Sequence, residues 1–396
     1  MTARRLLGTL AALAAARGTS GAWRPSAAQV DARATTETRA LYTNLRRLAG
    51  TQVMFGHQDD LAYGHDWFGE PGRSDVKEVA GAYPAVYGWE LGGLERGAPA
   101  DLDGVDFARM RAWIVEGYRR GGVITVSWHM SNPVTGGGAW DTTGAPVATL
   151  LPGGAHHDAY TAWLDRFADF VGTLRAPAPN GGTALVPVIF RPFHEMSGGW
   201  FWWGAAHARA DDFKALWRFT VEYLRDRKGV HNVLYAYSPD KLYDYGAAHY
   251  LDWYPGDAFV DVLGIDQYWW PPSATWAPND QVAALRESLH HVVAEADARG
   301  KLAALTETGY ETLPDSTWWT DKLLAALDAD SLTRRVAYVL VWRNGTRARV
   351  GREHFYAPFP GQASAADFVR FHAHPLVAFG DELPPLYRLP NGTSTP

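Results

Sequence analysis

The chain of 396 residues contains no cysteine, which excludes disulfides, thiolate nucleophiles, thiolate metal sites and a lipoprotein anchor. Charge is scarce as well: 37 basic residues stand against 43 acidic ones for a net charge of −6, and no basic run exceeds two residues. A surface that tracks phosphates has no basis in that pattern, so nucleic acid is excluded as a partner. Long apolar runs are also missing. The best candidate, Leu6 to Ala16, falls well short of the ~20 residues that a membrane-spanning helix needs. It follows Arg4 and Arg5 and precedes small and polar residues through Ser26-Ala27-Ala28, which is the layout of an export signal. Residues 1–28 are therefore expected to be a signal peptide, residues 29–396 the mature domain, and the protein secreted or periplasmic.

What the sequence does have is apolar and aromatic material. Hydrophobic residues make up 47% of the chain, with 18 Trp, 18 Tyr and 16 Phe. Trp is too large, and too polar at Nε1, to serve this often as core filler, so some rings are expected to face a ligand.

From residue 52 onward, short β-branched or aromatic runs alternate with helical stretches. The runs are Gln52–Gln58, Pro84–Glu90, Gly122–His129, Ala184–Glu195, Asn232–Pro239, Asp261–Tyr268, Leu302–Gly309 and Val336–Asn344. Near-continuous apolar runs imply burial on both faces, as in parallel strands under helices. Apolar stripes between them (Phe107, Met110, Ile114, Tyr118; Phe213, Leu216, Trp217, Val221; Leu285, Leu289, Val292, Ala296) have helical spacing. Eight strands with alternating helices predict a single (β/α)8 TIM barrel of the α/β class, with an open doubly wound sheet as the alternative. The Gly-rich first turn that a dinucleotide fold would carry is absent. Residues 176–183 read as a loop before the fourth strand, and the stretch after Trp342 as a final helix packing around the barrel's base.

Chemistry in such barrels sits at the C-terminal ends of the strands. The residues there are His57, Gln58, Glu90, Trp128, His129, His194, Glu195, Asp240, Asp266, Tyr268, Glu307, Trp342, Arg343 and Asn344. Glu195 and Glu307 project from strands four and seven across one mouth, the arrangement that glycosidic hydrolysis requires. A buried ion pair with Arg191 is the structural alternative for either carboxylate. None of the six Lys sits at a strand end except Lys241 nearby, which disfavours a Schiff base. His194-Glu195 has no second His at zinc-binding spacing, and no Ser lies in a glycine elbow, so neither a metal nor a cofactor is expected. The loop Gly198-Gly199-Trp200-Phe201-Trp202-Trp203 offers flat apolar faces suited to pyranose rings, with about two of its four rings expected to be buried, and Trp269-Trp270 repeats the arrangement. A sugar polymer is the expected substrate.

The segments Phe55-Gly56-His57-Gln58-Asp59-Asp60, Arg191 to Gly204, Thr306-Glu307-Thr308-Gly309 and Trp342-Arg343-Asn344 resemble glycoside hydrolase family 26, best known for endo-β-1,4-mannanases. The likeness covers about residues 40 to 388. It implies Glu195 as general acid/base and Glu307 as nucleophile of a retaining double displacement. It further implies that His194 contacts the 2-hydroxyl, that Tyr268 hydrogen-bonds the nucleophile, and that His129, Trp200, Trp342 and Arg343 wall the subsites. The partner would be β-mannan or a manno-oligosaccharide acted on by a monomer. Another β-glycan such as β-1,3-xylan or mixed-linkage glucan, exo-acting release of mannobiose, and a non-catalytic binding protein are the alternatives. Glu195 is expected to be held protonated by the nearby negative Glu307 and by the apolar face of Trp200.

Overall fold

A computed structural model describes residues 29–178 and 181–390; the expected export signal lies outside them. Eight parallel strands form the centre: β1 (Val53–Gln58), β2 (Val86–Glu90), β3 (Val123–Ser127), β4 (Val188–Arg191), β5 (Val233–Tyr237), β6 (Val262–Trp269), β7 (Leu302–Tyr310) and β8 (Val336–Val341). Each pairs with the next, and β8 pairs back onto β1 from Met54↔Tyr338 to His57↔Val341, so the sheet closes into a barrel. Closure removes the open-sheet alternative. Almost every strand residue is buried, which explains why the runs read as apolar without alternation.

Six longer helices are α1 (Thr36–Leu48), α2 (Phe107–Arg119), α3 (His157–Gly172), α4 (Ala210–Glu222), α5 (Gln281–Arg299) and α6 (Ala365–His372), of which α2, α4 and α5 carry the stripes read in the sequence. Asp280 opens α5 by accepting from the Ala283 amide at 2.9 Å, and Gly300 closes it in the left-handed region at φ 64°. Between β1 and its neighbours the packing leaves no room for a side chain at Gly56, where a Cβ would lie 2.7 Å from Leu340 and 2.8 Å from Val86.

The stretch read as a plain loop before strand four is in part an antiparallel hairpin, Arg175–Pro177 against Thr183–Leu185. Three-residue arms with only Ala176 and Ala184 buried are too short to leave a period in the sequence. The run assigned to strand four also ends earlier than expected, at Arg191.

The C-terminal stretch packs at the base. Val377–Ala378 pairs in parallel with Val53–Met54, and α6 delivers Phe368 and Phe371 to a cluster with Phe55, Trp319 and Phe379. Phe368 is fully buried and its ring lies 4.5 Å from Trp319 and 5.2 Å from Phe55. Phe368→Ala should therefore cost about 3–5 kcal/mol of stability. Urea unfolding measures it, and a loss below ~1 kcal/mol would show that this cluster does not anchor the tail.

Candidate active site

Inside the barrel, Arg191 at the end of β4 is almost completely buried and reaches two carboxylates. Its Nη1 donates to Asp266 Oδ2 at 2.7 Å, and its Nη2 donates to Glu307 Oε2. Asp266 is held further by Ser238 (2.9 Å) and Thr306 (2.7 Å), so it supports Arg191 within the protein. Burial pushes the Asp266 carboxyl up, Arg191 pulls it down, and the neighbouring Glu307 pushes it up again. On the other side of Glu307, Tyr268 donates its hydroxyl to Oε1 at 2.5 Å. Both oxygens of Glu307 thus have a donor, and the ion pair with Arg191 weighed as the structural alternative is present at Glu307.

Glu195 is held differently. It lies four residues past Arg191 in a tight turn, where both Phe193 (φ 50°) and Glu195 (φ 53°) adopt the left-handed region. Each such residue costs about 1 kcal/mol or more, a strain that packing must offset. The turn is pinned by the Glu195 amide donating to Ser238 O at 2.8 Å, by the Trp203 indole donating to His194 O at 2.8 Å, and by Phe193, fully buried against Trp202, Trp203 and Phe213. Glu195 remains partly reachable from solvent although protein surrounds it closely. Burial raises its carboxyl well above the ordinary range, followed in effect by Asp240, Glu307 and Asp266. The expectation that Trp200 contributes to this rise is corrected. Its indole N–H donates to Glu195 Oε2 at 2.6 Å, which favours the charged form.

His129 and His194 stand face to edge with their Nε2 atoms 3.2 Å apart. Glu90, at the end of β2, orients this pair: its carboxylate accepts from His129 Nδ1 (2.7 Å), Ser127 Oγ (2.8 Å) and the amides of His129 and Gly92. Burial opposes ionisation of Glu90, but His129 and these donors outweigh it and bring the carboxyl down to about 2. Glu90 therefore fixes the proton of His129 on Nδ1. His194 is buried beside Arg191 and His129, which, after burial itself, hold its pKa well below the usual imidazole range.

Trp342 lies 6.2 Å from His129 and completes one wall. Arg343 points to a different part of the mouth. It pairs with Asp103 at 3.0 Å beside Tyr63, and these three line a cavity of about 450 Å³. The eight expected site residues thus fall into three groups around one mouth: Glu195 with Trp200, Glu307 with Tyr268, and the His129, His194 and Trp342 wall with Arg343 beyond it.

Two aromatic expectations need correction. In the loop after β4, Phe201, Trp202 and Trp203 are buried and only Trp200 is open, so three rings form the plug rather than two. Trp269 does not face the mouth; it is buried against Trp318, with the ring centroids 5.4 Å apart. Sequence reasoning missed Trp140, which stacks on His129 at 5.1 Å and is 56% exposed. The signal was there: Gly136-Gly137-Gly138-Ala139-Trp140 has the same glycine-then-Trp pattern as Gly198-Gly199-Trp200. Also unremarked were the ties of Lys241 to Asp240 and Asp244, with its amine 5.1 Å from the Trp200 ring.

The family model for glycosyl hydrolase family 26 matches residues 30–319. The chain belongs to that family. It is 36% identical over 394 residues to a mannan endo-1,4-beta-mannosidase of Bifidobacterium adolescentis, covering 93% of this chain but spanning only 38% of that relative's length. Among solved structures, a family 26 β-mannanase from Bacteroides ovatus superposes with a TM-score of 0.82 at 43% identity, covering 91% of this chain and 99% of the other. A modular endo-β-1,4-mannanase from Cellulomonas fimi gives a TM-score of 0.81 at 38% identity, with coverage of 91% and 79%.

Arg191→Met should cost about 3–5 kcal/mol, because it leaves Asp266 and Glu307 buried side by side with no shared cation. Chemical unfolding at neutral pH is the measurement. A variant as stable as the parent would mean that the two carboxylates do not depend on Arg191.

Proposed function

We propose that this chain is a secreted, retaining endo-β-1,4-mannanase acting as a monomer, with Glu195 as general acid/base and Glu307 as nucleophile. The observation that carries this reading is the contrast between the two glutamates. Burial and the neighbouring Asp240, Glu307 and Asp266 push the Glu195 carboxyl well above its ordinary range, whereas Glu307 receives a donor at each oxygen. The names of the relatives above support β-mannan as the polymer.

In the first step Glu195 donates its proton to the leaving glycosidic oxygen while Glu307 attacks the anomeric carbon, forming a glycosyl ester. Esterification removes the negative charge of Glu307, so one of the influences that raise Glu195 disappears. Glu195 then takes a proton from water, and the hydroxide displaces the ester with a second inversion, which restores the original configuration. Arg191 and Tyr268 hold Glu307 in place for the attack. His194 and His129, ordered by Glu90, present imidazole edges to the ring hydroxyls, and Trp200 and Trp342 supply walls for the sugar faces. Arg343 with Asp103 forms a polar subsite farther along the chain. Export through residues 1–28 would bring the enzyme to a polymer too large to enter a cell.

The first product released from a manno-oligosaccharide should be the β-anomer, read by proton NMR before mutarotation; an initial α-anomer would refute the two-step mechanism. Glu195→Ala should lower turnover of mannan by roughly 10²–10⁴-fold, and by much less on an aryl glycoside whose leaving group needs no proton. Equal losses on both substrates would remove Glu195 from the acid role. Asp240 raises Glu195, so Asp240→Asn should lower the pKa of the acid and move the alkaline limb of kcat/KM to lower pH. An unmoved limb would mean that Asp240 exerts no such control.

A further inference from the structure

The pair Trp269-Trp270 has no part in the mechanism above, and its position suggests another use. Side chains along β6 alternate between the two faces of the barrel wall. Asp266 and Tyr268 face inward, to Arg191 and Glu307, whereas Gln267 bonds Ser288 of α5 at 2.7 Å and so faces outward. Trp269 shares the parity of Gln267 and stands in register with Tyr310 of β7. Both rings therefore lie outside the barrel, under the loops that follow β6 and β7. Together with Trp270 and Trp318 they line a cleft of about 820 Å³.

This surface is built before any ligand arrives. The Gln281 side chain clamps the Trp270 backbone with two hydrogen bonds, at 2.8 and 2.9 Å. Trp276 packs edge-on against Trp270 at 5.8 Å and is 62% exposed, an indole face offered to solvent. Trp318 is fully buried, and its N–H has no acceptor among the described residues. The polar lining mixes two carboxylates, one amine and neutral groups, with no cluster of one sign. Asp280 is occupied by the Ala283 amide and Asp315 by Thr317, while Asn279, Ser316 and Lys322 offer amide, hydroxyl and amine groups. The half-exposed Trp270 ring beside hydrogen-bonding groups of both charge signs and neutral amide and hydroxyl groups matches a polyhydroxylated ring better than an anion or a peptide.

We propose that this cleft is a second saccharide-binding site, which holds a stretch of β-mannan outside the catalytic mouth. The polymer is chosen because the cleft adjoins the mouth: Trp269-Trp270 directly follow Tyr268, and Tyr310 follows Glu307 on the same strand. The identity of the sugar rests on the mannanase reading; the site itself rests on the cleft.

Trp270→Ala and Lys322→Ala, two changes in the cleft lining, alone and combined, test it, with thermal unfolding to verify that they leave the fold intact. In native gels containing soluble β-mannan, run in a Glu195→Ala background so that the polymer survives, the double variant should bind roughly fivefold more weakly. With Glu195 present, kcat/KM on mannotetraose should stay within about twofold of the parent while the rate on insoluble mannan falls several-fold. Unchanged gel retardation would overturn the site. An equal loss on mannotetraose would overturn its separation from the mouth, and retardation by β-glucan or xylan but not by mannan would overturn the assigned ligand. A parent protein that leaves mannotetraose uncut would refute the mannanase reading, a result obtained independently of the gels.

Discussion

The site depends on a single buried cation. Arg191 sits where β4 ends and is shared by Asp266 of β6 and Glu307 of β7, so one guanidinium ties three strands together across the barrel interior. Two carboxylates side by side in a low-dielectric interior repel each other and lose their hydration; a bidentate cation with fixed fork geometry offsets both effects only if all three groups stay in register. The barrel supplies that register through its ladder, in which Asp266 pairs directly with Glu307 after a shift at Ile265. The irregularity falls at the level where these side chains must be aimed, as β-bulges near functional sites commonly do.

The two glutamates express a division of labour already present in the backbone. Glu307 lies within a fully buried nine-residue strand and has fixed partners at both oxygens. Glu195 lies in a turn with two left-handed residues, its carboxylate bonded by a half-buried Trp200. In the proposed mechanism the nucleophile, Glu307, must not move, whereas the acid/base, Glu195, must exchange a proton with the leaving oxygen and then with water. Strain at Phe193 and Glu195 is tolerated because Phe193 is locked among Trp202, Trp203 and Phe213. The buried rings of that loop therefore hold the turn in shape, and Trp200 alone among the four remains half-exposed.

Much of this was legible in the sequence because barrel strands buried on both faces leave continuous apolar runs, and their polar ends stand out against them. All eight strands and the positions of Glu195, Glu307, His129, His194 and Tyr268 could be found that way. Three features could not. The end of β4 at Arg191 was hidden because the residues after it, Pro192-Phe193-His194, stay apolar or buried inside the turn. The direction of Trp269 depends on strand parity, which a run apolar on both faces does not reveal. The role of Arg191 requires knowing that β4, β6 and β7 converge, a relation between residues 75 and 116 positions apart.

The aromatic residues that first set this chain apart thus divide by what fixes each ring. Rings with both faces packed, such as Trp202, Trp203 and Trp318, stiffen turns and outer clefts. Rings held at one side only, Trp140 stacked on His129 and Trp276 edge-on to Trp270, keep exposed apolar surface whose hydration a flat ligand would release. Exposing an indole costs solubility and stability, and in the proposed reading a ligand offsets that cost. Trp140 stands at the His129 wall of the candidate mouth, whereas Trp276 stands beside the outer cleft. One long polymer chain could engage both, and binding at the outer site would raise the local concentration of scissile bonds at the inner one without altering its chemistry.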